Sequence, residues 1–171
     1  MANKSNKNSN QSSQKIPVPL ASLLAVLLPW YDREKRSLPW RDIVTPYRTW
    51  VSEIMLQQTR VQAVLPYFER FMAAAPDVPA LAELAEDRLL SLWQGLGYYS
   101  RARSLQRSAR VMVDQYGGCL PDTYSDLIQL PGIGDYTAGA ILSIAFNKAV
   151  PAVDGNVLRI CLLYTSDAAD D

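Results

Sequence analysis

Leu130-Pro131-Gly132-Ile133-Gly134-Asp135-Tyr136-Thr137-Ala138-Gly139-Ala140 is the most informative stretch of this chain. A glycine hairpin leads straight into a helix whose early turns carry the small residues Ala138, Gly139 and Ala140. Backbone N–H groups at a helix start, in a loop nearly free of side chains, form an anion site suited to a nucleic-acid phosphate. A Walker loop is excluded, because the hairpin lacks the Gly-Lys-Ser/Thr ending. A tight helix–helix turn would use the same glycines with no ligand at all. An echo, Gly95-Leu96-Gly97-Tyr98-Tyr99, lies 37 residues upstream. In both copies an apolar residue between glycines can plug the core while the backbone turns sharply.

Outward from the hairpin the pattern is helical from Leu20 onward. Apolar residues recur every three or four positions, as in Val51, Ile54, Met55 and in Val61, Val64, Leu65, Phe68. Thr45-Pro46 is a cap followed by proline at the first helical position, and Thr123 with Asp126 resembles a capping box. Thr59 is placed to cap the helix carrying Val61 to Phe71, which Pro66 should bend. No run alternates apolar and polar residues between hairpin turns, so the class is all-α, with about eight short helices.

Composition removes several chemistries. The 171 residues include no histidine and two cysteines, Cys119 and Cys161. Histidine-dependent nucleophilic triads, His-ligated zinc, four-cysteine metal sites and a disulfide scaffold are therefore excluded. Acid–base chemistry falls to Asp, Glu, Tyr or Lys. Seventeen basic residues balance seventeen acidic ones, so nucleic-acid binding requires a local basic face rather than bulk charge. Ile16 to Leu28 imitates a signal-peptide core, but Pro17, Pro19 and Pro29 interrupt it. No stretch approaches the roughly 20 apolar residues that span a membrane.

Two further motifs mean little alone. Asp154, in Val153-Asp154-Gly155-Asn156-Val157, is placed as a helix N-cap. Glu53, in Trp50-Val51-Ser52-Glu53-Ile54-Met55-Leu56-Gln57-Gln58-Thr59, sits at the edge of an apolar stripe, where a glutamate is ordinarily solvated or paired. Together with Leu38-Pro39-Trp40-Arg41, Gly95 to Tyr99 and the hairpin, they stand in the order found in adenine DNA glycosylases of the MutY type. The chain resembles that family, within the endonuclease III superfamily, from roughly Leu20 to Ile160. The hairpin with its following helix resembles the helix-hairpin-helix that grips the DNA backbone without reading sequence.

The resemblance implies a helix-hairpin-helix glycosylase fold, a six-helix domain truncated before an iron–sulfur region. It also implies excision of adenine mispaired with 8-oxoguanine or guanine in duplex DNA. Breaking the glycosidic bond needs one protonated and one ionised carboxyl, the division of labour of glycoside hydrolysis. By resemblance Glu53 is the acid that protonates adenine, and its apolar neighbours should raise its pKa. Asp154 is the carboxylate that stabilises the sugar cation, with Asn156 and Tyr136 positioning sugar, water and Asp154. Gln58 and Tyr98 wedge into the duplex, and Arg41 approaches the pocket of the extruded base. Gly132, Ile133, Gly134 and Thr137 belong to the DNA-gripping hairpin. Endonuclease III has a nucleophilic lysine where this chain has Tyr136, so strand cleavage through a Schiff base lacks its amine. Lys148 reads as a solvated residue past the helix end. Arg101, Arg103, Arg107 and Arg110 form an acid-free basic stretch, expected outward as a solvated face or as auxiliary phosphate contacts.

The family pattern ends after Leu158-Arg159-Ile160, and CLLYTSDAADD reads as translated adapter sequence. The expected organisation is a disordered polar tail over 1–15 and an N-terminal helix over 16–36 that packs on a cluster domain the chain lacks. A helical glycosylase domain follows over 37–160, with its hairpin at 130–136, and then a non-native tail over 161–171. The family carries a 4Fe–4S cluster whose four cysteine ligands are absent here; no metal site and no other cofactor are expected in this chain. The expected setting is a monomer on mismatched double-stranded DNA in the bacterial cytoplasm, at the nucleoid. The fragment alone is expected to be inactive. Two alternatives remain: a non-catalytic helix-hairpin-helix DNA-binding module, and an endonuclease III-like glycosylase with lyase activity.

Overall fold

The computed structural model describes residues 20–159. The expected tails over 1–15 and 161–171 lie outside the described residues. The chain divides into two units, with the break between Arg36 and Ser37. In the first, α1 (Leu20–Glu34) carries Pro29 within it and ends on ion pairs from Arg33 to Glu34 and from Lys35 to Asp32.

The second unit is built around α3 (Pro46–Leu56), which follows the short α2 (Pro39–Asp42). Thr45 caps α3 by accepting from the Arg48 amide at 3.2 Å, as the Thr-Pro pair foretold. Tyr47, Thr49, Trp50, Val51, Ser52, Ile54 and Met55 are all buried, so α3 is enclosed on nearly every side. Such a helix reads apolar all round because it has no solvated face to spend on charge. Its neighbours are α4 (Val61–Ala74), α7 (Ser100–Tyr116) and α9 (Asp135–Ala140), the last continuing into a π-helical turn at Ile141–Ala145. The Tyr47 hydroxyl ties α3 to the end of α4 by donating to the Ala75 carbonyl at 2.8 Å.

Between α4 and α7 come α5 (Val78–Glu83) and α6 (Glu86–Trp93); α8 (Tyr124–Leu127) precedes the hairpin. Phe68, Phe71, Trp93, Leu105 and Met112 close the core around α3. Trp40 packs edge-on against Phe68 at 5.1 Å between ring centroids, and Phe71 against Trp93 at 6.0 Å.

The described residues contain nine α-helices, the π turn and a helical stretch over 155–159, and no strand, in keeping with the all-α reading. Thr123 caps α8 by accepting from the Asp126 amide. Thr59 does not cap α4. The N-cap position is Arg60, without a side-chain bond, because the Thr59 hydroxyl is taken up by the Gln57 carbonyl and by Arg101. Pro66 lies inside α4 and the helix runs on past it.

Candidate active site

α3 delivers Glu53 from the middle of the core. Its neighbours Ser52 and Ile54 are 1% and 3% exposed, while Glu53 itself is half-buried. Burial pushes the Glu53 carboxyl above the ordinary carboxylate range; the Tyr136 hydroxyl and the positive charge of Arg41 oppose the rise, and the negative charge of Asp154 adds to it. Three residues from other parts of the chain thus act on Glu53 of α3: Arg41 at the end of α2, Tyr136 on α9 and Asp154 beyond the π turn. Tyr136 is held in its neutral form, chiefly by burial and then by the carboxylate of Glu53.

Asp154 stands in the opposite condition. Its Oδ1 accepts from the backbone amides of Val157 at 2.8 Å and Asn156 at 3.0 Å, the N-cap geometry that the sequence suggests. Its Oδ2 accepts from the Asn156 side-chain amide at 3.0 Å. The Val157 amide leads these bonds in holding the carboxyl below the ordinary aspartate range, against a smaller upward push from burial. Asn156 is therefore the direct partner of Asp154.

The hairpin is fixed from below. Gly132 has φ +81°, and a Cβ there would stand 2.9 Å from the Ser104 side chain of α7. The Ser108 hydroxyl donates to the Pro131 carbonyl at 2.7 Å, fastening the hairpin to the same helix. Ile133 is 5% exposed and plugs the core, as does Leu96 in the upstream echo at 6%. Thr137 is 3% exposed, so what this position can offer a ligand is backbone rather than hydroxyl. Gly134 is the N-cap of α9, and both it and Gly132 are exposed.

Gln58 and Tyr98 project from two loops, both exposed, and both with left-handed backbone at φ +59° and +50°. Sequence reasoning places Arg101 on an outward basic face, and the structure corrects this. Arg101 is 9% exposed and turns inward, bonding to the carbonyls of Gln57 in one loop and Gly97 in the other. The signal was present in the spacing, since Arg101 stands four residues before Leu105 and shares the buried stripe of Leu105, Ser108 and Met112. Arg103, Arg107 and Arg110 do face outward. Arg103 pairs with Glu86 at 2.8 Å, and Arg110 donates to the Ala82 carbonyl at 3.2 Å. Lys148 is likewise not simply solvated, because its ammonium pairs with Asp122 at 2.9 Å.

The four-cysteine cluster implied by the family resemblance finds no donor set here. Cys119 is exposed, and no group of metal-ligating side chains gathers among the described residues. None of the described helices is long and apolar enough to cross a membrane.

A family model described as HhH-GPD superfamily base excision DNA repair protein matches residues 51–170. The adenine DNA glycosylase of Buchnera aphidicola subsp. Baizongia pistaciae (strain Bp) is 44% identical over 141 residues, covering 82% of this chain and 40% of that protein. The adenine DNA glycosylase of Homo sapiens is 48% identical over 153 residues, covering 84% of this chain and 28% of that protein. The chain thus spans less than half the length of these curated relatives. Among solved structures, a thermostable thymine-DNA glycosylase superposes with a TM-score of 0.77 at 27% identity, over 82% of this chain and 65% of that one. A trapped endonuclease III–DNA covalent intermediate superposes with a TM-score of 0.74 at 22% identity, over 88% of this chain and 70% of that one, a likeness of fold.

Proposed function

Because the chain belongs to the HhH-GPD superfamily of base excision DNA repair proteins, we propose that it forms the catalytic part of a monofunctional adenine DNA glycosylase acting on adenine mispaired with 8-oxoguanine or guanine. One observation carries the reading: two carboxyls, the second of which acts on the first, are displaced in opposite directions, Glu53 upward and Asp154 downward. Pairs of acids whose surroundings separate their proton affinities mark an acid and its partner base.

The roles follow from each group's surroundings. Glu53 keeps its proton in its buried place and gives it to a ring nitrogen of the extruded adenine, which turns the base into a better leaving group. Electrons of the glycosidic bond pass to the base, and positive charge develops on the sugar. Asp154 stays ionised and faces that charge, while Asn156 holds its Oδ2. Tyr136, neutral, steadies Glu53 and can orient the sugar or the attacking water. Arg41 borders the base pocket, and Gln58 and Tyr98 enter the duplex to take the space the base leaves. Gly132, Gly134 and Thr137 present backbone to a phosphate, and Ile133, whose amide donates to the Leu130 carbonyl at 3.1 Å, anchors the hairpin beneath it.

The absence of lyase chemistry has a support in the lysines. Among the described residues these are Lys35 and Lys148, and each ammonium is held in an ion pair. The 4Fe–4S cluster of the family is assigned to parts of the protein other than this chain, and no step here passes through it. The working unit is a monomer on mismatched duplex, in a bacterial cell at the cytoplasmic nucleoid. Catalysis belongs to the complete protein, and the 171-residue chain alone is expected not to turn over.

Single-turnover base release from duplexes holding A opposite 8-oxoguanine or G tests the reading on the complete protein. Glu53→Gln should slow release by at least about 10²-fold, the range expected for a lost general acid. Binding without release, unchanged by that substitution, would leave a DNA-binding module instead. Borohydride trapping of a covalent adduct would restore the lyase alternative.

A further inference from the structure

Gln58 and Tyr98 lie forty residues apart, yet one guanidinium holds the backbone around both. Arg101 Nη1 donates to the carbonyls of Ile54 and Met55 at 3.0 Å each, and to that of Gln57. These close the C-terminal end of α3, where carbonyls have no helical partner and a cation is favoured. Arg101 Nη2 donates to the Gly97 carbonyl at 3.2 Å, the Leu96 carbonyl at 3.4 Å and the Thr59 hydroxyl at 3.3 Å. The same guanidinium lies 5.4 Å from the centre of the Tyr98 ring and 5.6 Å from that of Trp93. The residues on both sides of Gln58 and the residue before Tyr98 are therefore bonded to a single side chain.

We propose that Arg101 is a positioning residue which joins the Gln58 and Tyr98 loops into one rigid two-pronged probe, so that the two side chains enter a duplex together and at a fixed spacing. This rests on the reading of Gln58 and Tyr98 as the residues that face DNA. Among the described residues neither side chain forms a hydrogen bond that would set the spacing, the Tyr98 ring meets the same Arg101 guanidinium, and both loops hold left-handed backbone that ordinary residues leave when released. A planar fork with five N–H groups can serve two loops at once, and a lysine ammonium with three donors and no plane cannot. Arg101 touches no substrate in this scheme; it acts through the two residues it holds.

The coupling can be read without DNA. In amide hydrogen exchange of the 171-residue chain, Arg101→Lys should speed exchange at Met55–Thr59 and at Leu96–Tyr99 together, by about tenfold or more. The hairpin over 130–136 should stay within about twofold of its original rate. Unchanged exchange at either loop would overturn the proposal. If Arg101→Lys gives no cooperative melt, Thr59→Val takes its place. It removes one acceptor in the first loop, and it must loosen Leu96–Tyr99 as well; loosening confined to its own loop would overturn the proposal.

In the complete protein, single-turnover base release should fall about tenfold with Arg101→Lys but by less than about twofold when the same change is made on a Tyr98→Ala background. Equal losses on both backgrounds would show that Arg101 acts elsewhere. A wild-type protein that releases no adenine would end the proposed function, while the exchange measurement would still decide whether Arg101 couples the loops.

Discussion

Glu53 and Asp154 carry the same functional group, and their surroundings set them apart. Burial makes the native protein hold the Glu53 proton to higher pH than the unfolded chain does. The stability this contributes is fully present below the unfolded glutamate value of about 4.3 and is lost as pH rises through the raised native value. Glu53→Gln, neutral at every pH, should therefore melt above wild type at mildly alkaline pH, and the gap should close on acidification. Calorimetric melts across pH measure this, and a constant gap would contradict it. Asp154 has the opposite sign: its contribution is present above the unfolded aspartate value and is lost as pH falls through its lowered native one. The single-turnover rate of the complete protein should fall on the alkaline side as Glu53 loses its proton, and on the acid side only well below neutrality, as Asp154 gains one. Glu53 was legible as a candidate because its motif stands in order with four others, and its raised proton affinity because apolar residues adjoin it in sequence. Its encounter with Tyr136 and Arg41 was not, because no local pattern records which distant residues a fold brings to one carboxyl.

At the scale of elements, the segment that carries Asp154 is set by a contact with α9. A Cβ on Gly139 would run into the Pro151 carbonyl oxygen, with the Ala152 Cα 3.2 Å away. Both obstacles are backbone, so the segment leading to Asp154 must move. Gly139→Ala should cost about 1–3 kcal/mol in urea denaturation and should lower base release by more than that loss of folded protein explains. A variant that keeps full activity would show the segment to be compliant. Thr45→Ala removes a confirmed cap and should cost about 1 kcal/mol while leaving release per folded molecule unchanged. Caps such as Thr45, Thr123 and Asp154 were legible because one side chain and one nearby amide decide them. The start of α4 was misplaced for a related reason: Thr59 has the chemistry of a cap, but Arg101, 42 residues away, claims its hydroxyl. The π turn after α9 left no trace in the pattern, since Ile141, Leu142 and Ile144 suit an α-helix equally well.

For the whole molecule, the four residues of the site span positions 41 to 154, and α3 at the centre of the core joins them. Phe68, fully buried against Trp40, should cost about 3–5 kcal/mol when replaced by alanine. Loss of helix signal and loss of base release by the complete protein should then coincide on heating, because the candidate site residues stand on elements packed around that core. The balance of seventeen positive and seventeen negative residues gives DNA no bulk attraction, so under the proposed function the grip falls to the hairpin backbone and a few outward arginines. Arg107, exposed and without an acidic partner among the described residues, is the clearest of these. Arg107→Ala should reduce the slope of log affinity against log salt by about one; an unchanged slope would mark it as a solvated face only. Left-handed backbone at Gln58 and Tyr98 bears on evolution in the laboratory. Glycine occupies that conformation without the steric penalty that a Cβ brings. A library selected only for survival of heat should thus be drawn toward Gln58→Gly and Tyr98→Gly, discarding both side chains. Selection for robustness and selection for repair would pull these two positions in opposite directions.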